Sequence, residues 1–261
     1  MSLPTITPFN LGMLSADLAE WFGLPPGHPY AGRVDRLPIW FYLVGLPGRL
    51  ILLDPPAYEF PGESSMLLPE FNGRTAAALL ANAGVGVAAV TDVVITHPHL
   101  DHTLGLVTRP ASGPSTPVFS NTRHYLSLKD WENLVNMDEV ERQPIEVVRR
   151  AGLLTLVEGE RDLGDGLALF PIPGETPGHQ ALRLQTADDE TWFTGDLFHH
   201  PLELEDVGVH PVWADAQTMQ ASKSMLAQRA AQSGARVFFT HIDGAYRLVE
   251  SGGQRTWKKI A

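Results

Sequence analysis

The sequence predicts an α/β protein in which two groups of β-strands are packed between helices. Short apolar and β-branched runs, typical of buried strands, alternate along the 261 residues with longer helix-prone segments. Polar residues of metal-binding type follow predicted strands at four separate places, as expected when scaffold loops carry chemistry. We expect one domain spanning residues 1–261, with residues 1–36 as an N-terminal extension.

Composition and charge exclude several classes of function. The chain is 44% hydrophobic and 19% charged, which is typical of a globular protein. Its 30 acidic and 19 basic residues give a net charge of −11, which disfavours nucleic acid as a partner. Because there is no cysteine, any metal must be bound by His, Asp or Glu. Since neither a leader pattern nor an apolar run of membrane length is present, we expect a cytoplasmic protein without membrane contact.

The first part of the chain predicts a short helix, a hairpin and a second helix. A helix is expected at residues 17–22, before a Pro-Pro-Gly break. Residues 39–44 and 50–53 are β-prone runs separated by a Gly/Pro turn, which indicates a hairpin. Residues 55–73 form a proline-rich surface loop that would overhang a pocket. An alanine-rich helix follows at 74–83 and ends at a glycine.

The remaining elements follow the same two patterns. Further strands are predicted at residues 92–96, 117–120, 153–157, 167–172, 181–185, 191–194 and 236–240. Further helices are predicted at residues 123–135, 138–151 and 214–233.

The densest chemistry lies in the loop after the predicted buried strand at residues 92–96. Four metal-binding side chains occur there within six residues: His97, His99, Asp101 and His102. Imidazole and carboxylate are ligands that suit zinc and similar metals. A solvated histidine-rich loop is the alternative interpretation, but a shuffled chain of this composition rarely reproduces the spacing. The stretch therefore predicts a metal centre.

Three later residues extend the predicted centre. His179 ends a Pro/Gly-rich loop, Asp196 follows Gly195 where a strand ends, and His241 follows the last predicted strand. Each has an ordinary alternative, namely a loop histidine, a turn-forming aspartate and a histidine bonded to a backbone carbonyl. Their joint occurrence after the first motif favours a ligand role.

Together these motifs resemble those of the metallo-β-lactamase superfamily. The resemblance lies in the His-x-His-x-Asp-His stretch at 97–102, Thr-Pro-Gly-His at 176–179, Phe-Thr-Gly-Asp at 193–196 and Thr-His at 240–241. It covers about residues 39–245 and implies an αββα sandwich of two mixed β-sheets flanked by helices.

The resemblance also implies a ligand set for two divalent metal ions, zinc first, with manganese, iron or cobalt as alternatives. One ion would be bound by His97, His99 and His179. The other would be bound by Asp101, His102 and His241, and Asp196 would bridge the two.

The branch that the sequence most resembles contains the acyl-homoserine lactonases and methyl-parathion hydrolases. This likeness implies a hydrolase that uses a metal-bridging hydroxide to open a lactone or cleave a carboxylic ester of a small molecule. Asp101 would carry a proton to the leaving group. A phosphotriester hydrolase and a metal-binding sensor with little turnover are the alternatives, and a homodimer is left open.

Two further residues have predicted roles near the metals. Asp54 ends the second hairpin strand and would orient a ligand histidine, although a turn-forming aspartate before two prolines is the alternative. His199 lies three residues after Asp196, where acyl-homoserine lactonases carry a tyrosine. It would donate a hydrogen bond to the substrate carbonyl, unless it is an exposed loop histidine. Several aromatic residues line either a pocket or the core: Trp40, Phe60, Phe71, Phe198 and Trp213.

Overall fold

The structure is a computed structural model that describes residues 3–57 and 74–260. Most of the predicted overhanging loop at 55–73, with Phe60 and Phe71, lies outside the described residues. The chain divides into two compact units. Of the described residues, the first comprises 3–12, 39–57 and 74–158, and the second comprises 13–38 and 159–260. The single domain expected for residues 1–261 stays a prediction.

A six-stranded mixed sheet belongs mainly to the first unit. Its strands are β1 (Thr5–Asp17), β2 (Val34–Leu46), β3 (Arg49–Leu53), β4 (Asp92–Val94), β5 (Arg123–Ser127) and β6 (Leu154–Val157), in that order across the sheet. Strands β2 and β3 form the predicted antiparallel hairpin, and β3 to β6 run parallel. Parallel neighbours need crossover connections, and helices supply them here.

Helices α2 (Ala76–Asn82) and α5 (Glu139–Arg150) are the main crossovers of the first unit. Leu80 of α2 and Ile145 of α5 are fully buried in one cluster with Leu52 and Val93 of the sheet. This apolar packing fixes the strand ends at which the first group of polar residues begins.

A seven-stranded mixed sheet belongs to the second unit. Its strands are β7 (Arg161–Gly164), β8 (Leu167–Pro171), β9 (Gln180–Gln185), β10 (Glu190–Phe193), β11 (Arg236–Phe238), β12 (Ala245–Ser251) and β13 (Gln254–Lys259), in that order across the sheet. Only the pairing of β10 with β11 is parallel among those described. The crossover between these two strands contains α6 (Pro201–Glu205) and α7 (Ala216–Ser233), and Met219 and Leu226 of α7 are buried against Trp192 and Val237.

The predicted α/β class with two mixed sheets flanked by helices is confirmed. The helix expected at 17–22 is α1 (Leu18–Phe22), which begins where the Asp17 carboxylate accepts the amides of Ala19 and Glu20. Within the described part of the chain, no helix combines the length and the apolar character needed to cross a membrane.

The helix predicted at residues 123–135 is wrong in its first five residues. They form β5, and α4 (Leu128–Asn133) begins only after Ser127, whose side chain accepts the Lys129 amide. Because β5 pairs with β4 on one side and β6 on the other, the sheet overrides a local sequence that also suits a helix. The strand predicted at 117–120 is also wrong, since Pro117 makes only an isolated bridge with Val107.

Candidate metal centre

The loop after β4 carries four of the predicted ligands. His97 is fully buried, and its Nδ1 lies 3.0 Å from the Thr96 hydroxyl. Its Nε2 lies 3.0 Å from Nδ1 of His99. Helix α3 (Leu100–Thr103) begins directly after His99, so Asp101 and the fully buried His102 occupy a single helical turn. The first unit therefore brings these four side chains into one short segment.

Asp54 braces this loop from the end of β3. Its backbone is left-handed, with φ 47°, a conformation that aspartate adopts more readily than most residues. Its carboxylate accepts the Thr96 amide at 2.7 Å and the Thr96 hydroxyl at 2.8 Å. The oxygen that accepts the Thr96 hydroxyl, Oδ2, also lies 3.1 Å from Nδ1 of His102. The position suits the predicted orienting role, which stays a prediction.

The second unit carries the other three predicted ligands at its own strand ends. His179 is fully buried between β8 and β9, Asp196 follows β10, and His241 follows β11. Nδ1 of His241 lies 2.9 Å from the Pro38 carbonyl oxygen, and Nε2 lies 3.1 Å from the Asp196 carboxylate. Since a carbonyl oxygen only accepts, Nδ1 of His241 is the donor to Pro38. In the neutral ring Nε2 then presents a lone pair towards Asp196.

These separations fit a metal ion. In a neutral His241 ring, Nε2 and the Asp196 oxygen at 3.1 Å are both acceptors, and a cation between them would resolve the conflict. Two ligand atoms of a tetrahedral zinc ion, each about 2.0–2.1 Å from the metal, lie about 3.3 Å apart. The 3.0 Å between the ring nitrogens of His97 and His99 is close to that separation. Imidazole and carboxylate donors also match the ligand chemistry of zinc.

A sequence profile described as Metallo-beta-lactamase superfamily matches residues 34–241. The chain belongs to this superfamily. The match begins with β2 and ends at His241, so it includes every predicted metal ligand. The resemblance found in the motifs is therefore confirmed as family membership.

Curated relatives in the superfamily include the N-acyl homoserine lactonase AiiA of Bacillus thuringiensis subsp. kurstaki. It is 24% identical over 166 residues, which cover 59% of this chain and 61% of AiiA. The chain thus spans less than two thirds of the length of the curated relatives it matches.

Solved structures of similar fold include AidC, described as a dizinc quorum-quenching lactonase, with a TM-score of 0.76 and 18% identity over 99% of this chain and 95% of AidC. The hydrolase AbOPH has a TM-score of 0.79 and 17% identity over 99% of this chain and 94% of its own. These two likenesses show the metallo-β-lactamase superfamily fold.

His199 is buried, so the interpretation as an exposed loop histidine is wrong. Its Nε2 lies 3.4 Å from the Asp196 carboxylate and 3.6 Å from that of Glu175, and its Nδ1 lies 3.6 Å from that of Glu203. Burial alone would lower the pKa of His199, but the Glu175 and Asp196 carboxylates raise it well above its usual value. Its predicted hydrogen bond to substrate stays a prediction.

Sequence reasoning missed Glu175, which lies four residues before His179 in the same loop. A carboxylate oxygen of Glu175, an oxygen of Asp196 and a ring nitrogen of His199 all lie within 4.8 Å of one another, and all three residues are buried. Oε1 of Glu175 accepts the indole N–H of Trp213 at 2.7 Å. An acidic residue in a Pro/Gly-rich loop is usually exposed to solvent, so the sequence alone does not indicate that Glu175 is buried.

Sequence reasoning also missed Glu203 and Lys223, a buried pair that positions the segment carrying His199. One Glu203 oxygen accepts the backbone amides of His199 at 2.6 Å and His200 at 3.0 Å. The other accepts the Lys223 ammonium at 2.7 Å, and both side chains are fully buried. Burial raises the pKa of Glu203, but His199 and Lys223 outweigh it and the pKa is lowered. The pair positions the backbone from which His199 extends.

The three predicted aromatic residues that the structure describes have different settings. Phe198 is fully buried with Phe239 and Trp257 in the core. Trp213 is 46% exposed and packs edge-on against His199 and Trp21, with ring centroids 5.9 Å and 5.1 Å apart. Trp40 is half-buried. Trp21, which the sequence did not single out, therefore joins Trp213 beside His199.

Proposed function

We propose that this protein is a hydrolase that uses two divalent metal ions, zinc first, to open a lactone or cleave a carboxylic ester of a small molecule. The observation that carries the proposal is the orientation of His241. Its Nδ1 donates to the Pro38 carbonyl at 2.9 Å, which fixes the ring and directs Nε2 to Asp196 at 3.1 Å. A ligand histidine in a metal site is held in this way by its outer nitrogen.

The seven proposed ligands are His97, His99, Asp101, His102, His179, Asp196 and His241. Six of them follow the C-terminal ends of β4, β10 and β11, where loops on a rigid scaffold commonly place reactive groups, and His179 directly precedes β9. The profile match spans all seven and supports the same assignment.

When bound, two such cations supply an activated water and stabilise the oxygen that leaves in a displacement. The side chains have complementary tasks. The Asp101 carboxylate, with its side chain 16% exposed, would take a proton from the attacking water and pass it to the departing alkoxide. Nε2 of His199 donates to the substrate carbonyl oxygen, and Asp54 keeps Nδ1 of His102 fixed at 3.1 Å.

A small-molecule substrate fits the charge of the protein. The net charge of −11 repels polyanions such as nucleic acid. The relatives AiiA and AidC are described as lactonases, which supports a lactone as the first substrate class to test.

The test combines metal analysis with a substrate panel. Purified protein would be analysed by mass spectrometry for metal content, and assayed with N-acyl homoserine lactones, aryl esters and paraoxon-like phosphotriesters. We expect two metal ions per chain, lactone turnover above triester turnover, and loss of both metal and turnover with a chelator. Two bound metals without turnover of any substrate would instead support a metal-binding sensor, and a dominant triester activity would support the phosphotriesterase alternative.

A further inference from the structure

Glu175 is a buried carboxylate close to Asp196 that the seven proposed ligands do not include. It comes from the loop between β8 and β9, and its side chain is only 1% exposed. Oε2 lies 3.6 Å from Nε2 of His199, which is itself 3.4 Å from the Asp196 carboxylate. A charged carboxylate is seldom buried unless it is paired with a cation or binds a metal.

The two oxygens of Glu175 have different surroundings. Oε1 accepts the indole N–H of Trp213 at 2.7 Å, and this hydrogen bond fixes the rotation of the carboxylate. Oε2 is thereby directed towards His199 and Asp196. Carboxylates that bind metals commonly have one such outer partner, which orients them and is costly to remove.

Acidic groups outnumber basic ones around His199. Three buried carboxylates surround this imidazole, from Glu175, Asp196 and Glu203. The Lys223 ammonium lies 2.7 Å from Glu203, whereas Nε2 of His199 lies 3.4 Å and 3.6 Å from the other two carboxylates, longer than the usual N–H···O distance. A divalent cation would add positive charge at the place where ligand atoms of Glu175, Asp196 and His199 converge.

We propose that Glu175 is a further carboxylate ligand of the metal centre, oriented by the Trp213 indole N–H. The inference deepens the proposed function and rests on it. One more oxygen donor shifts the preference of the centre from zinc towards the harder ions Mn²⁺ and Fe²⁺, since carboxylates favour those ions and imidazole suits zinc. Zinc stays the first expectation, and the further carboxylate would make Mn²⁺ and Fe²⁺ better competitors for the centre.

The test measures metal binding directly rather than turnover. Metal-free protein would be titrated with Co²⁺, Mn²⁺ and Zn²⁺, by calorimetry for all three ions and by visible absorption for Co²⁺. For Glu175→Gln, which keeps the size and an oxygen acceptor for Trp213, we expect about 100-fold weaker Mn²⁺ binding, a smaller loss for Zn²⁺, and a changed Co²⁺ spectrum. For Trp213→Phe, which keeps the carboxylate, we expect about tenfold weaker binding.

The chain offers a closely matched control. Glu190 is also buried in the second unit, and it also accepts an indole N–H, from Trp192 at 2.9 Å. It begins β10, whereas Asp196 follows the other end of that strand. Glu190→Gln therefore makes the same change in charge and hydrogen bonding, and we expect it to leave all three affinities and the Co²⁺ spectrum unchanged.

Unchanged Mn²⁺ affinity and Co²⁺ spectrum in Glu175→Gln would overturn the inference, as would an equal loss in Glu190→Gln. Circular dichroism would establish that each variant is folded. If Glu175→Gln does not fold, Trp213→Phe decides, because an unchanged affinity there contradicts an oriented ligand. If the parent protein binds no metal, the proposed function fails. If the parent binds metal and Glu175→Gln binds it equally well, only the inference about Glu175 fails.

Discussion

Asp54 accepts both the amide and the hydroxyl of Thr96, at 2.7 Å and 2.8 Å, and so ties the end of β3 to the residue that precedes His97. The same carboxylate lies 3.1 Å from Nδ1 of His102. A single side chain therefore holds both ends of the segment that carries four proposed ligands. Replacing the Asp54 carboxylate tests whether this contact orients His102.

For Asp54→Asn we expect metal affinity to fall by about 10- to 100-fold, because the neutral amide orients His102 less strongly. Asparagine tolerates the left-handed backbone at this position, so the change adds little strain. Calorimetric titration of the metal-free variant measures the loss. Thr122→Val serves as the control, because it removes a buried hydroxyl that donates to the Val90 carbonyl at 3.0 Å, and it should cost about 1 kcal/mol in unfolding free energy without changing metal affinity. Equal metal affinity in parent and Asp54→Asn would contradict the orienting role.

For Asp196→Ala we expect metal content and turnover to be lost together, since this residue is the proposed bridge between the ions. Elemental mass spectrometry and the lactone assay would be applied to the same preparation. Asp215→Ala is the control, because the Asp215 carboxylate only caps α7 by accepting the Thr218 amide at 2.8 Å. It should lower stability by about 1 kcal/mol and keep the metals. Full metal content in Asp196→Ala would exclude the bridging role.

Replacing Lys223 by Met should destabilise the fold by about 3–5 kcal/mol, because Glu203 would remain buried without its cation. Both side chains are fully buried and 2.7 Å apart. The double variant Glu203→Gln with Lys223→Met removes both charges, and we expect it to recover most of that loss. Urea unfolding of the parent, the two single variants and the double variant gives the coupling energy. Additive effects would show that the pair does not act as a unit.

The buried imidazole of His124 predicts a dependence of stability on pH. Burial lowers the pKa of His124 from 6.5 to about 4. The unfolded chain takes up this proton near pH 6.5, whereas the folded chain takes it up only near pH 4, so the folded state loses stability as the pH falls through that window. Since one pKa unit corresponds to about 1.4 kcal/mol, the total is on the order of 3 kcal/mol.

His124→Leu should remove this dependence, because leucine fills a similar space and does not titrate. Urea midpoints of parent and variant at pH 7, 5.5 and 4.5 would be compared. We expect the difference between the two proteins to change in favour of the variant as the pH falls. A constant difference across the three pH values would show that His124 is not the group responsible.

Much of the fold followed from local pattern, and the errors have identifiable physical causes. The hairpin of β2 and β3 was readable from a Gly/Pro turn between two apolar runs, and α7 from its length and its closing Gly234. Strand β5 was not readable from its own residues, because its extended conformation depends on pairing with β4 and β6, which are distant in sequence. The hairpin of β12 and β13 has a sequence signal in the adjacent Gly252 and Gly253, which both adopt positive φ. The predicted strands end at residue 240 and do not include it.

For the candidate site, the sequence predicted residue types with a strong ligand preference and missed those whose role depends on burial. His97 and His241 are recognisable because histidine in dense or ordered motifs has few other uses. Glu175 and Glu203 resemble ordinary surface acids in sequence, and only their buried positions beside His199 distinguish them. Lys223 was missed for the same reason, because a lysine on a helix is usually exposed to solvent, whereas this one is buried.

The segment expected as an extension contributes supporting contacts to the second unit. The Trp21 ring packs against Trp213, Asp35 lies 3.1 Å from Nε2 of His200, and Pro38, just beyond the expected boundary, holds His241. An expression clone trimmed to begin near residue 39 would keep every proposed ligand and yet lose the carbonyl that fixes the tautomer of one of them. Because β1 also belongs to the six-stranded sheet, the shortest clone for activity work starts upstream of Thr5.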